Sequence, residues 1–200
     1  MVHRKLLSLA LAITAIPVLA VVPGTTAPDF KGTDSNGTQH SLSEYRGKYV
    51  VLEWANKGCP YDQKHYLSGS MENLQKEWTA KGVIWLSVIS SAPGEQGYVN
   101  ATQENEYIKN MHVASTAVLL DPTGAIGHLY QAKTTPHMFV IDPTGKLIYE
   151  GAIDNKPTTD QGDLKGADNY LNDALNASMA GKPVAVESTR PYGCSVKYAH

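Results

Sequence analysis

The only two cysteines of this chain, Cys59 and Cys194, are the residues whose type and setting point most directly to chemistry. Cys59 lies in Val50–Tyr66, V-V-L-E-W-A-N-K-G-C-P-Y-D-Q-K-H-Y. An apolar run, Val50-Val51-Leu52, ends in Trp54 and Ala55. Polar or small residues follow, then Cys59, Pro60 and a helical pattern. This order predicts a buried strand, a tight loop, Cys59 at a helix N-cap and Pro60 at the first helical position. The positive end of the helix dipole favours the thiolate there, the form that attacks disulfides and peroxides. The competing reading is a buried structural cysteine. For Cys194, an even cysteine count in an exported protein suggests one disulfide, which would tie the tail to the domain centre. Alternatively, both are reactive thiols joined in only one oxidation state. The residues alone leave both readings open.

The elements that must position these sulfurs follow from the patterning. The chain has 200 residues, enough for one domain plus extensions. Met1–Lys5 is basic and Leu6–Val22 is nearly all apolar, with Val18-Leu19-Ala20 suited to cleavage. Residues 1–20 therefore read as a secretory signal peptide. The run is short for a membrane span and contains Pro17, which favours cleavage over a retained anchor. Cleavage leaves 15 basic and 19 acidic residues, a formal charge of −4, and no stable membrane span. No basic stripe appears, which argues against a nucleic-acid partner. The mature part is long enough to bury a core without disulfide staples.

Residues 21–27 read as a linker and 28–182 as the domain. Phe30–Leu42 predicts a hairpin around Asp34-Ser35-Asn36-Gly37. Tyr49–Ala55 reads as a central strand covered on both faces. Pro60–Lys81 reads as one helix, with Tyr66, Leu67, Met71, Leu74 and Trp78 at helical steps and a bend at Gly69. Further strands are expected at Val83–Ile89, Ala117–Asp121, Met138–Ile141 and Leu147–Gly151. Helices are expected at Ala101–Met111, Ala125–Gln131 and Ala167–Ala180, the last with Tyr170, Leu171, Leu175 and Met179 on one face. The tail, 183–200, shows no core periodicity but carries Cys194. Early alternation of strand and helix implies parallel pairing, and the closing hairpin implies an antiparallel edge.

Four pieces of the sequence carry a family resemblance. They are Ala27-Pro28-Asp29-Phe30; Trp54-Ala55 leading to Cys59-Pro60; Thr135-Pro136 before a strand; and Phe139 through Leu147 into Gly151. Together they resemble the redoxin group of thioredoxin-like proteins, which includes peroxiredoxins of the alkyl hydroperoxide reductase and thiol-specific antioxidant type and exported thiol-disulfide oxidoreductases. The implied architecture is an α/β thioredoxin-like fold with a central mixed sheet flanked by helices and an N-terminal β-hairpin extension. The segments Asn56–Tyr61 and Gly193–Lys197 resemble a peroxiredoxin-like bacterial subgroup. The first cysteine of that subgroup's C-x-x-C is Asn56 here, so a dithiol at the helix start is absent. Asn56 also stands where peroxiredoxins carry a peroxide-positioning Thr.

The resemblance implies an exported, periplasmic or extracellular, oxidoreductase in which Cys59 attacks and Cys194 resolves. Its partners would be a peroxide or protein disulfide and an external thiol reductant, and no cofactor is required. Pro60, Asn56, Thr135, a cis Pro136 and His137 would position the substrate. His137 reads either as an acid or base near Cys59 or as a hydrogen-bonded strand histidine. Tyr61 and Trp54 flank the cysteine, with Trp54 read as core packing. Two other readings compete: a non-catalytic binding module with a structural Cys59–Cys194 disulfide, and a metal carrier using Cys59, His137 and Cys194.

Overall fold

The computed structural model describes residues 21–199. The leader expected over 1–20 lies outside the described residues. Among the described residues no helix is long and apolar enough to cross a membrane.

The centre is β3 (Val50–Trp54), buried along its whole length. It pairs in parallel with β4 (Ile84–Ile89), which pairs in parallel with β5 (Ala117–Leu120). On its other side β3 runs antiparallel to β7 (His137–Ile141), which continues to β8 (Leu147–Gly151). The Asn36-Gly37 turn folds β1 (Lys31–Asp34) onto β2 (Gln39–Ser41), and β1 extends the sheet from β5. The result is a seven-stranded mixed sheet in the order β2-β1-β5-β4-β3-β7-β8. A separate two-stranded ladder joins β6 (Thr134–Thr135) to β9 (Cys194–Ser195).

Alternation along β3 sends Val50, Leu52 and Trp54 to one face and Val51 to the other. The first face packs on Phe30, Leu42, Phe139 and α4 (Ala125–Tyr130). The second packs on α1 (Pro60–Leu67), α2 (Ser70–Ala80) and α5 (Tyr170–Met179). Trp78, Trp85, Leu171 and Leu175 fill that side, each worth roughly 1.5–3 kcal/mol of burial. A smaller cluster of Ile89, Val99 and Val118 receives Ile108 from α3 (Ala101–Met111).

Three expectations need correction. The helix read over Pro60–Lys81 is two helices, broken by Gly69 at φ 76°, a conformation that suits glycine. Leu67 at the end of α1 consequently points outward at 61% exposure. The apolar face of α5 is Leu171, Ala174 and Leu175, while Met179 is 42% exposed. The tail does have a packing period. Its inward side chains are Tyr192, Cys194, Val196 and Tyr198, every second residue, as in a strand. Val196 enters the main core, and Tyr198 stacks on His128 at 4.0 Å and donates to the Ala132 carbonyl at 2.9 Å.

Buried acids set the pH response of this fold. Glu104 in α3 is 3% exposed and its Oε2 lacks a partner. Burial pushes its carboxyl up to about 7, against the opposing pull of Lys57. The folded protein therefore holds a proton that the unfolded chain releases near pH 4.3, and stability falls as pH rises between these values. Glu104→Gln is expected to raise stability at pH 8 by on the order of 1–3 kcal/mol and to have little effect at pH 4. Urea denaturation at the two pH values measures this; equal effects at both would contradict it.

Candidate active site

Helix α1 starts where the sequence predicts. Cys59 is its N-cap with extended backbone (φ −85°, ψ 123°), and Pro60 follows at the first helical position. The Cys59 N–H donates to the Asn56 carbonyl at 2.8 Å, closing the loop after β3. The Gln63 N–H donates to the Cys59 carbonyl at 2.9 Å, starting the helix. The side chain of Cys59 is completely buried.

The β3–β7 register sets Trp54 opposite His137, which brings the loop after β3 to the segment just before β7. That segment contains a cis Thr135–Pro136 bond. The Cys59 thiol donates to the Thr135 carbonyl at 3.1 Å. Across the β6–β9 ladder Thr135 lies opposite Cys194, so the residue that accepts from the Cys59 thiol also brings Cys194 next to Cys59. Gly193 makes this approach possible. At φ 135° it lies flat on the Thr135 carbonyl, where a Cβ would collide. Both cysteines are free thiols, Cys59 buried and Cys194 partly exposed.

Burial alone would push the Cys59 thiol up. It is outweighed by hydrogen bonds from the Cys194 thiol, the Asp62 backbone N–H, the Thr135 side chain and the Cys194 backbone, so Cys59 lies below the ordinary thiol range. The Thr135 hydroxyl is buried and lacks a hydrogen-bond partner. The two protonation states thus use different partners: the thiol donates to the Thr135 carbonyl, and the thiolate accepts from the surrounding donors. Burial pushes Cys194 up to about 12, reinforced by its bond to Cys59 and the charge there. Cys59 is thus the first of the two to lose its proton, and Cys194 keeps its own.

The remaining sequence-derived positions have other duties. Asn56 is buried. Its amide donates to Gln96 Oε1 at 3.0 Å and its Oδ1 accepts from the Gly58 N–H at 2.8 Å, pinning the active loop to the loop after β4. His137 accepts from the Lys133 N–H at Nδ1 (3.3 Å), so Nε2 carries the proton and donates to Glu150 at 3.1 Å. Burial keeps this ring neutral, with Glu150 opposing. It is a hydrogen-bonded strand histidine. Among the described residues no group of three or more His, Cys, Asp or Glu is placed to hold a metal ion. Trp54 is core, donating to Ser90 Oγ at 3.0 Å, while Tyr61 stands 5.9 Å from the Tyr192 ring.

Several polar residues of the site gave no sequence signal beyond their place in α1 and β3. Asp62, one turn after Cys59, is fully buried; its Oδ2 accepts from the Asn56 N–H at 2.5 Å and its Oδ1 has no partner. Burial, then the Cys59 thiolate, raise its carboxyl well above the usual range. Glu53 accepts from Tyr66 (2.7 Å), Gln75 (3.1 Å), Trp85 (2.7 Å) and Ser87 (2.9 Å), tying α1 and α2 to the sheet. Lys64 and His65 are also buried, facing Asp154.

A cysteine at the N-terminus of the first major helix, set against a cis-proline loop on a mixed sheet, defines a thioredoxin-like redoxin. Residues 23–150 match the AhpC/TSA family, and the chain belongs to that family. Cys194 lies beyond the matched region. The chain is 28% identical over 128 residues to the thiol-disulfide oxidoreductase ResA of Geobacillus kaustophilus (strain HTA426), covering 64% of this chain and 68% of that protein. Two solved structures share the fold. A hypothetical protein from Sinorhizobium meliloti 1021 has a TM-score of 0.74 at 21% identity, covering 90% of this chain and 97% of its own. An uncharacterized conserved protein from Geobacillus kaustophilus has a TM-score of 0.73 at 22% identity, covering 88% of this chain and 92% of its own.

This order of acidity predicts two separated titrations in the reduced protein. Thiolate absorbance should rise once below the ordinary cysteine pKa of roughly 8.5 and again only at strongly alkaline pH. Cys194→Ala removes a donor to Cys59 and should move the lower titration upward. A lower titration unmoved by that substitution would contradict the arrangement.

Proposed function

We propose that this protein is a thiol-disulfide oxidoreductase in which Cys59 attacks and Cys194 resolves. The observation that carries the reading is that Thr135, in the cis-proline loop, accepts from the Cys59 thiol at 3.1 Å and pairs with Cys194 across the β6–β9 ladder, which sets the second cysteine beside one at a helix N-terminus. Membership in the AhpC/TSA family and the naming of a relative as a thiol-disulfide oxidoreductase support it.

The chemistry balances within the pair. The Cys59 thiolate attacks one sulfur of a disulfide RS–SR′, forming Cys59–SR and releasing R′S⁻, which takes up a proton. Cys194 loses its proton and attacks the Cys59 sulfur. The Cys59–SR bond breaks, RS⁻ leaves and is protonated, and the Cys59–Cys194 disulfide forms. The sum converts one substrate disulfide and two protein thiols into two substrate thiols and one protein disulfide. Because Cys59 is completely covered, a protein disulfide reaches it only when the tail lifts from β6. For regeneration, an external thiolate attacks the more accessible Cys194 sulfur, and Cys59, the more acidic thiol, leaves.

A second reading has support from the same pair. A peroxide ROOH would oxidise the Cys59 thiolate to a sulfenic acid with release of ROH, and Cys194 would condense with it, losing water. The Asn56 amide, committed to Gln96, offers this route no donor at the sulfur, so disulfide exchange is preferred. We also propose export, on the strength of the basic and apolar residues 1–20. Expression with the native N-terminus should give a protein beginning near residue 21 outside the cytoplasm; an uncleaved cytoplasmic product would contradict this.

Reduction of a disulfide-bonded protein substrate, with dithiol as electron source, tests the main reading. Wild type should turn over. Cys59→Ser should abolish activity, and Cys194→Ser should accumulate a mixed disulfide on Cys59. Peroxide consumption by wild type without disulfide exchange would favour the second reading. Neither activity, with a bridge that resists reduction in the native protein, would favour the binding module.

A further inference from the structure

The tail residues around Cys194 are held more elaborately than a simple strap requires. Two residues before Cys194, Tyr192 enters a buried charged cluster. Its hydroxyl donates to Asp154 Oδ1 at 2.6 Å. Its ring lies 5.3 Å from the Lys64 ammonium and 5.9 Å from the Tyr61 ring. Lys64, His65 and Asp154 are each 1–2% exposed. Lys64 donates to the Lys156 carbonyl at 2.7 Å, while its separation from Asp154 is 3.8 Å, and His65 stands 3.7 Å from the same carboxylate. Asp154 therefore gives its short contacts to the Tyr192 hydroxyl and the Lys156 N–H (2.8 Å), and only long ones to the cations. Asp154 and Lys64, both removed from water, have the tail hydroxyl as their closest side-chain partner, at 2.6 Å and 3.4 Å, and His65 Nε2 stands 3.5 Å from it; together they form a receptor for Tyr192.

The location of this receptor gives it a role. Tyr192 stands two residues before Cys194, with Gly193 between them pressed on the Thr135 carbonyl. Downstream, the Val196 N–H donates to the Lys133 carbonyl at 3.1 Å. Cys194 is thus fixed from both sides, and the upstream fixing point is the Tyr192–Asp154 contact.

We propose that Tyr192, docked on Asp154 and Lys64, is a positioning residue that sets the effective concentration of the Cys194 thiol at Cys59. This rests on the Cys59–Cys194 exchange reading. Tyr192 touches neither sulfur in the reaction. It acts by restricting the tail, so releasing it weakens the bridge and uncovers Cys59 together.

The test is a redox equilibrium of the full chain with oxidised and reduced glutathione: protein dithiol plus one glutathione disulfide gives protein disulfide plus two glutathione thiols. Tyr192→Phe keeps the ring and removes the bond to Asp154; Asp154→Asn perturbs the receptor instead. Each should lower the equilibrium constant for closing the bridge about tenfold, a potential about 30 mV less reducing. Each should also raise the rate at which iodoacetamide alkylates Cys59 in the reduced protein. A purely stabilising role would lower the melting temperature without moving the potential. Wild-type potential and alkylation rate in both variants would overturn the inference while leaving the exchange reading intact. Failure of wild type to form a reversible bridge would overturn the exchange reading itself.

Discussion

The structure depends on one crowded contact, the Cys59 sulfur wedged between the first turn of α1, the Thr135 carbonyl and the Cys194 thiol. A buried sulfur has few ways to hold negative charge. Desolvation opposes it, so the charge must be met by fixed donors. Here the donors are the helix N-terminus, the Thr135 side chain and the tail. The rest of the fold supplies the rigidity that keeps them aimed. Strand β3 is fully buried between β4 and β7. Glu53, near its end, gathers hydrogen bonds from α1, α2 and β4, which fixes the helix that carries the sulfur.

The second thiol comes from the far end of the chain, which gives the site a property that a local dithiol lacks. Two sulfurs one helical turn apart are held by the same short loop. Here their proximity depends on a tail with little regular structure, stapled by side chains. Closing such a long loop costs entropy that the contacts of Tyr192, Val196 and Tyr198 must outweigh. Tyr192 and Gly193 line a cleft of about 630 Å³ beside Tyr61, Tyr170 and Arg190, so movement of this part of the tail both separates the thiols and reshapes the surface around them.

Much of this was legible in the sequence, and for physical reasons. Cys59-Pro60 after an apolar run fixes the helix start, because proline tolerates only the first turn and a small polar residue suits the cap. Alternating strands and helices, and Asn36-Gly37, place the sheet and its hairpin. The tail was not legible as a packed element. Tyr192, Cys194, Val196 and Tyr198 do alternate, but over a short span rich in polar residues, without a partner strand adjacent in sequence. Their partners, Thr135, Asp154 and α4, are distant. Asp62, Lys64, His65 and Asp154 escaped notice for a related reason: charged residues are usually solvated, and only the tertiary fold shows that these are buried. Asn56 and His137 stand where the family pattern suggested, yet their hydrogen bonds turn them toward Gln96 and Glu150.

The central claim is that Cys59 and Cys194 form a reversible intramolecular bridge. The most direct measurement is peptide mass spectrometry of the purified monomer after brief treatment with one equivalent of a small-molecule disulfide, followed by dithiol. The account predicts a single linked peptide pair joining the Cys59 and Cys194 segments, which disappears on reduction with the fold intact. Both cysteines carrying the small-molecule adduct, or a bridge formed only between chains, would contradict it.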